Sequence, residues 1–401
     1  MPQSRPIYLD HASTTPLDRR VFEAMKPFFL DVYGNPSSLH RAGLKAKEAV
    51  MESRATIAHL LNAHPDEIVF TGSGTESDSL AILGTINAIK IEKPHVITSA
   101  IEHHAVLEPL QYLKKTGKID LTILPVSADG LVDVGDVKQA LTLNTVLVTI
   151  MAANNEIGTI QPIADIGRAI LAWRKEHGTA YPYFHSDACQ AAGALDINVE
   201  QWHTDLLTMN GSKIYGPKGI GLLFVRRGTT INPMIRGGGQ ERGLRSGTEN
   251  VPAIVGFAQA FKLAQADREK ENARLTALRD RLIKGLMTIS KTRLNGHATK
   301  RLPNNVNISF LDTEGEATVL YLDAADIMAS TGSACASSSL DASHVIIGLG
   351  LPYEAAHGSV RFSLGHDTTA QDADRVIEVM KSIIERLREM SPVNVDMKYY
   401  A

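Results

Sequence analysis

A lysine, an aspartate, a glycine-opened turn and a cysteine stand at separate points of this 401-residue chain, each in a setting that suits chemistry. Asp187 closes the stretch YFHSD, and Lys213 lies three residues beyond LLTMN, in NGSKIYGPKGIG. If both stretches are strands of one open parallel sheet, ligands bind beyond their carboxyl ends and the two side chains project into one crevice. An amine beside a carboxylate suits pyridoxal phosphate, which needs a lysine for its Schiff base and an acid to keep its pyridine nitrogen protonated. Spacing alone fits a surface lysine and a helix-capping aspartate equally well. A third element favours the cofactor. The stretch EIVF leads into TGSGTESDSLAILG, where small residues open a helix whose free N–H groups can take a phosphate. Gly74 and Thr75 are the residues expected to hold it. The same G-x-G-x-x-S spacing is a degenerate dinucleotide fingerprint, which fails because a long helix-bearing region precedes it and no acidic ribose ligand is apparent.

The cysteine sits in STGSACASSS, residues 330–339, where nine small residues surround Cys335. Such residues pack no core and hinder little, so the stretch reads as a loop. By composition alone an inert loop cysteine is the plainer reading.

These residues need elements to position them. From about residue 45 to 230 helical patterns alternate with short β-branched runs, the mark of an α/β domain with a largely parallel sheet. The predicted strands are Glu67–Phe70, His95–Ser99, Leu121–Val126, Thr145–Met151, Tyr183–Asp187, Leu206–Met209 and Gly221–Val225. Helices are expected over Ala42–Leu61, Glu76–Ala88, Val106–Thr116, Val134–Leu141 and Ile163–His177. Residues 252–289 form one long amphipathic pattern that links two domains. Beyond it come strands near Asn305–Phe310 and Val360–Phe362, a helix from about Asp341 to Gly348, and a last helix over Ala370–Met390. We expect a large cofactor domain over 16–255, and a smaller α+β domain made of 1–15 and 256–401 with the cysteine loop at about 328–341.

With 44% hydrophobic and 21% charged residues, the composition is that of an ordinary globular protein able to bury a large core. Forty-one Lys and Arg against forty-four Asp and Glu give a formal charge of −3, so no overall basic excess calls for nucleic acid or a membrane surface. No run approaches the roughly 18 apolar residues of a membrane span, and the N-terminus lacks the apolar segment of a signal peptide, so a cytoplasmic protein is expected. The two cysteines, Cys189 and Cys335, are judged as separate thiols. The histidine pair of IEHHAV would need further ligands to hold a metal, and no metal is expected.

From IYLDHASTTP to LREMSP the chain resembles the NifS/IscS-type cysteine desulfurases, class V members of the fold-type I, pyridoxal-phosphate-dependent aminotransferase superfamily. The matching segments run in order: YGNPSSLHRAG, FTGSGTESDSLAI, IEHHAVLEPL, ANNEIGTIQPI, SDACQAAG, KIYGPKGIG, GGGQERGLRSGTENV, STGSACASSSL and SVRFSLG. The resemblance implies a mostly parallel seven-stranded sheet and conversion of L-cysteine to L-alanine. On it, Lys213 carries the cofactor and shuttles the Cα proton, and Asp187 pairs with the pyridinium nitrogen. His103 stacks on the ring, and Asn155 and Gln190 bond its phenolic oxygen. Thr248 reaches the phosphate from a partner subunit, which implies a homodimer. Arg361 clamps the substrate carboxylate, with Asn35 nearby; a guanidinium offers two parallel donors to such a group.

In this family Cys335 takes the substrate sulfur as a persulfide and passes it to an acceptor, such as an Fe–S scaffold or a tRNA-thiolation protein. Attack requires thiolate, and at an unperturbed pKa of ~8.5 only roughly a few per cent is ionised near neutrality. Where the family has Ser-x-His-Lys, this chain has Asn210-Gly211-Ser212-Lys213, so Asn210 and Ser212 are expected as phosphate contacts alone. Cys189 reads as a small buried residue near the cofactor. Two other readings are a related enzyme without sulfur transfer, or a selenocysteine lyase, and an inactive assembly scaffold.

Overall fold

The computed structural model describes residues 5–332 and 342–391; Cys335, and the helix start expected near Asp341, lie outside them. In chain order its strands are β1 (Ile7–Tyr8), β2 (Ile68–Thr71), β3 (His95–Ser99), β4 (Asp120–Leu124), β5 (Thr145–Thr149), β6 (Tyr183–Asp187), β7 (Leu206–Asn210), β8 (Gly221–Val225), β9 (Thr292–Leu294), β10 (Asn305–Phe310), β11 (Ile327–Met328) and β12 (Ser359–Ser363).

Seven strands form one sheet in the order β2-β8-β7-β6-β5-β3-β4. Strands β3 to β7 pair in parallel, while β8 is antiparallel to both β7 and β2. Every strand but β8 therefore points the same way, and β2, β3, β5, β6 and β7 all end at one edge. The order reverses where β3 lies between β4 and β5, and a crevice opens at such a switch.

Successive residues of a strand face opposite sides, and here each side has its own core. Ile97, Val148, Phe184, Leu207 and Leu222 enter one apolar cluster, whereas Val96, Leu147, Tyr183, Leu206 and Leu223 enter another. Both faces are thus covered, which is why these strands read as continuous apolar runs.

The 36-residue helix Val251–Leu286 is about 54 Å long at 1.5 Å per residue. Phe257 and Phe261 on its first half are buried in the large-sheet core; Leu275, Leu282 and Leu286 on its second half belong to a separate core. The polar stretch between these halves contributes no fully buried residue. The second core is built on the antiparallel sheet β12-β10-β9 and the helix Ala370–Met390, and Ile7 and Leu9 join it because β1 pairs with β11.

Three details depart from the expectations. The helix expected from about Asp341 begins at His344, where the Ser343 hydroxyl accepts the Ile346 N–H at 3.3 Å and caps it. The helix Gly315–Asp323 was not expected, and its N-terminus carries no capping side chain that would announce it. Strand β9 is three residues long, too short to show alternation. Among the described residues no helix is long and apolar enough to cross a membrane.

Candidate active site

The shared edge of the large sheet delivers side chains from five strands to one cavity of about 1200 Å³, its open mouth included. After β2, Ser73 caps the helix Gly74–Ala88 by accepting the Glu76 N–H at 3.1 Å. The first turn of that helix, Gly74 and Thr75, lines the cavity. A Cβ on Gly74 would lie 2.8 Å from Cys189 Sγ and 3.0 Å from the Asn210 amide nitrogen, so only glycine leaves this turn open. After β3 comes His103, and the loop after β5 supplies Asn155. Strand β6 ends in Asp187, which is 7% exposed and accepts the Cys189 N–H at 2.9 Å. Three residues on, the Gln190 side-chain amide donates to the Ala12 carbonyl at 2.9 Å. Asn210 ends β7, Ser212 and Lys213 follow it in a single helical turn, and the Lys213 amine donates to the Ser13 carbonyl.

Arg361 arrives from β12 in the other lobe. It is 2% exposed; Nη2 donates to Asp10 Oδ1 at 2.8 Å and to Ser13 Oγ at 2.7 Å, and Nη1 to the Asn155 carbonyl at 3.0 Å. The N-terminal segment therefore holds both the lysine and the arginine. Its motif, IYLDHASTTP, carries the family resemblance, but nothing in a single sequence displays a pairing across 351 positions.

The structure thus brings Lys213, Asp187, His103, Asn155 and Gln190 to one wall system with Gly74, Thr75, Asn210, Ser212 and Arg361. Asn35 and Thr248 are exposed and do not line this cavity. Glu156, Asp78 and His344, which do line it, were missed by sequence reasoning.

Burial dominates the electrostatics. It lowers the pKa of His103, with the Asp187 charge opposing, so the ring is neutral near pH 7. His103 Nδ1 accepts the Ala105 N–H at 3.0 Å, which leaves the proton on Nε2. Burial, with Asp187 adding to it, drives the Cys189 thiol well up, so this second thiol stays un-ionised. Burial and then Asp187 likewise raise Asp78, whose Oδ1 is buried without a hydrogen-bond partner.

The donor set fits pyridoxal 5'-phosphate. A lysine, a buried carboxylate, a flat neutral imidazole and an open helix N-terminus face one space, and Gly74 places no side chain in that turn. The Nε of Arg361 is buried without a hydrogen-bond partner. Among the described residues no cluster of His, Cys, Asp and Glu is arranged to hold a metal.

Comparison with known proteins agrees with this chemistry. The profile of the family "Aminotransferase class-V" matches residues 7–376. A cysteine desulfurase IscS of Dictyoglomus turgidum is 48% identical over 395 residues, 98% of each chain. One of Methanosarcina thermophila is also 48% identical, over 98% of this chain and 95% of its own. Among solved structures, a NifS-like protein superposes with a TM-score of 0.88 at 34% identity, over 95% of this chain and all (100%) of its own. A structure of SspA in complex with cysteine gives a TM-score of 0.77 at 36% identity, over 89% and 98% of the two chains. With a lysine and an aspartate sharing a cavity at the carboxyl edge of a mostly parallel sheet, and with relatives of near-equal length, the chain belongs to the aminotransferase class-V family, among its pyridoxal-phosphate-dependent cysteine desulfurases.

Proposed function

We propose that this cysteine desulfurase divides its work among the residues of the cavity as follows. Lys213 holds the cofactor and moves the proton at the substrate Cα, Asp187 keeps the pyridine nitrogen protonated, and His103 stacks on the ring. Gly74, Thr75, Asn210 and Ser212 bind the phosphate, while Asn155 and Gln190 bond the ring oxygen. Bound pyridoxal 5'-phosphate supplies an electron sink that weakens bonds at the substrate Cα and, through it, the Cβ–S bond. Arg361 orients L-cysteine by its carboxylate, with Asn35 assisting. The Cys335 thiolate then bonds to the substrate sulfur as the Cβ–S bond breaks, and the carbon fragment takes a proton and leaves as L-alanine. Cys335 is left as a persulfide for a sulfur-acceptor protein, such as an Fe–S scaffold or a tRNA-thiolation protein.

The observation that carries this reading is convergence: Lys213, Asp187, His103 and Arg361 line one cavity, and so does Gly332, three residues before Cys335. With Nδ1 tied to the Ala105 N–H, His103 offers its Nε2 proton to substrate and accepts one only if that cap breaks.

A homodimer with shared sites is supported by the exposure of Asn35 and Thr248 and by that of the apolar side chains Phe29, Leu30, Tyr33 and Leu39, of which Leu39 is 91% exposed. We infer that the partner subunit's Thr248 completes the phosphate site. We also divide the chain into a cofactor domain, 16–255, and a smaller domain of 1–15 and 256–401.

The direct test compares wild type with Cys335→Ala, loaded with cofactor and given labelled L-cysteine. Alanine formation should fall by about 100-fold or more, on the scale of other nucleophile deletions, with cofactor absorption retained. Alanine formed at the native rate would exclude sulfur transfer through Cys335.

A further inference from the structure

Glu156 follows Asn155 in the loop after β5 and is 3% exposed. Its backbone is held on both sides: the N–H donates to Asn154 Oδ1 at 2.8 Å, and the carbonyl accepts from Asn307 Nδ2 at 3.1 Å. The carboxyl is turned toward two other pieces of chain. The Ser343 hydroxyl donates to Oε2 at 2.5 Å. A Cβ on Gly332 would lie 3.0 Å from the same Oε2. Gly332 has φ +89°, a left-handed conformation that favours glycine, and its carbonyl lies 3.5 Å from Arg361 Nη1.

In sequence, Gly332 and Ser343 bracket the residues that include Cys335; one carboxylate oxygen bonds Ser343 and occupies the space into which a side chain at position 332 would point. The return end is fixed a second time by His344, whose Nε2 donates to the Glu102 carbonyl at 2.9 Å and whose ring packs 4.6 Å from that of His104. Neither the cofactor chemistry nor the substrate clamp described above employs Glu156.

We propose that Glu156 is a positioning residue for the nucleophilic thiol: by holding Ser343 at the cavity wall, next to where Arg361 meets Gly332, it sets how Cys335 is presented to the substrate. The proposal rests on the reading of Cys335 as the group that takes the substrate sulfur. Chain length gives it force. Cys335 is three residues from Gly332, a contour of at most about 11 Å, and eight residues from Ser343, so the places of these two residues bound its distance from the cavity. Releasing Ser343 removes one of these bounds and with it part of the orientation that sulfur transfer needs.

The test uses the cofactor-loaded full chain in Ser343→Ala, Glu156→Ala, Glu156→Gln and the double variant Glu156→Ala/Ser343→Ala. Three quantities are read: kcat and KM for alanine formation from L-cysteine, and the rate at which iodoacetamide alkylates Cys335 in the resting enzyme, located by peptide mass spectrometry. Loss of a buried hydrogen bond to a carboxylate predicts a kcat lower by about tenfold in Ser343→Ala and Glu156→Ala, with KM within about twofold. Alkylation of Cys335 should quicken by roughly threefold or more. Glu156→Gln still accepts from Ser343 and should keep kcat within about threefold of wild type, and the double variant should be no worse than Ser343→Ala, because the two side chains act as one unit.

An unchanged kcat and alkylation rate in Ser343→Ala would overturn the proposal even if Glu156→Ala fails to fold. So would a loss expressed mainly in KM. Cys335→Ala reads the underlying role separately: full activity there removes that role, whereas an inactive Cys335→Ala beside an unchanged Ser343→Ala removes only the positioning.

Discussion

Glu102 is fully buried at the carboxyl edge of the sheet, where its carboxyl accepts from Ser99 Oγ at 2.5 Å and the Met151 N–H at 3.0 Å. Burial pushes its pKa up to about 8 from an ordinary 4.5. A raised carboxyl gives its full contribution to stability below the unfolded value and loses it as pH climbs through the folded one. The amide of Glu102→Gln stands in for the protonated acid and does not titrate. Its melting temperature should therefore gain on that of the parent as pH rises from about 4.5 to 8; a constant offset across that window, in thermal melts of the two proteins, would contradict the burial argument. At this scale the sequence was most readable where a residue's role depends on its place in a strand or turn. Lys213, Asp187 and Gly74 stand at strand ends and a helix start, and those positions show as patterns. Glu156 and Asp10 act through partners 187 and 351 positions away, and such pairings leave no local trace.

Where the long helix Val251–Leu286 meets the C-terminal helix Ala370–Met390, Gly285 lets the two approach closely. A Cβ at that position would lie 2.2 Å from Ile377 Cδ1. Gly285→Leu should force the helices apart and cost roughly 1–3 kcal/mol, the usual penalty of overpacking. A lower denaturant midpoint with an unchanged slope would show it, and an unchanged midpoint would mean the crossing can yield. Elements with long, regular patterns were legible to the residue: β3, β6, β8 and β10, and the helices Ile163–His177 and Ala370–Met390. Those that escaped were very short, such as β1 and β11 at two residues each, which pair with each other, or lacked a capping signal, as the helix Gly315–Asp323 does.

For the whole molecule, the exposed apolar group around Leu39 is the feature a single sequence could not reveal, since exposure is a property of the fold. Leu39→Asp places a charge where the proposed partner subunit would bury it, at a cost of roughly 3 kcal/mol, or about a hundredfold in association. Sedimentation should show the molar mass halved at micromolar concentration, with alanine formation falling alongside as the partner's Thr248 is lost. A wild-type chain that sediments as a monomer would remove the shared site. The contact between Asp10 and Arg361 has a further consequence in time. A ribosome adding about 5–20 residues each second needs roughly 20–70 s to pass from one to the other, and Arg361 emerges after Cys335. From the addition of Lys213 until that of Arg361, a nascent chain owns the lysine and the aspartate but no finished pocket for an amino acid, so a truncated product of stalled synthesis is left without the arginine that orients the substrate.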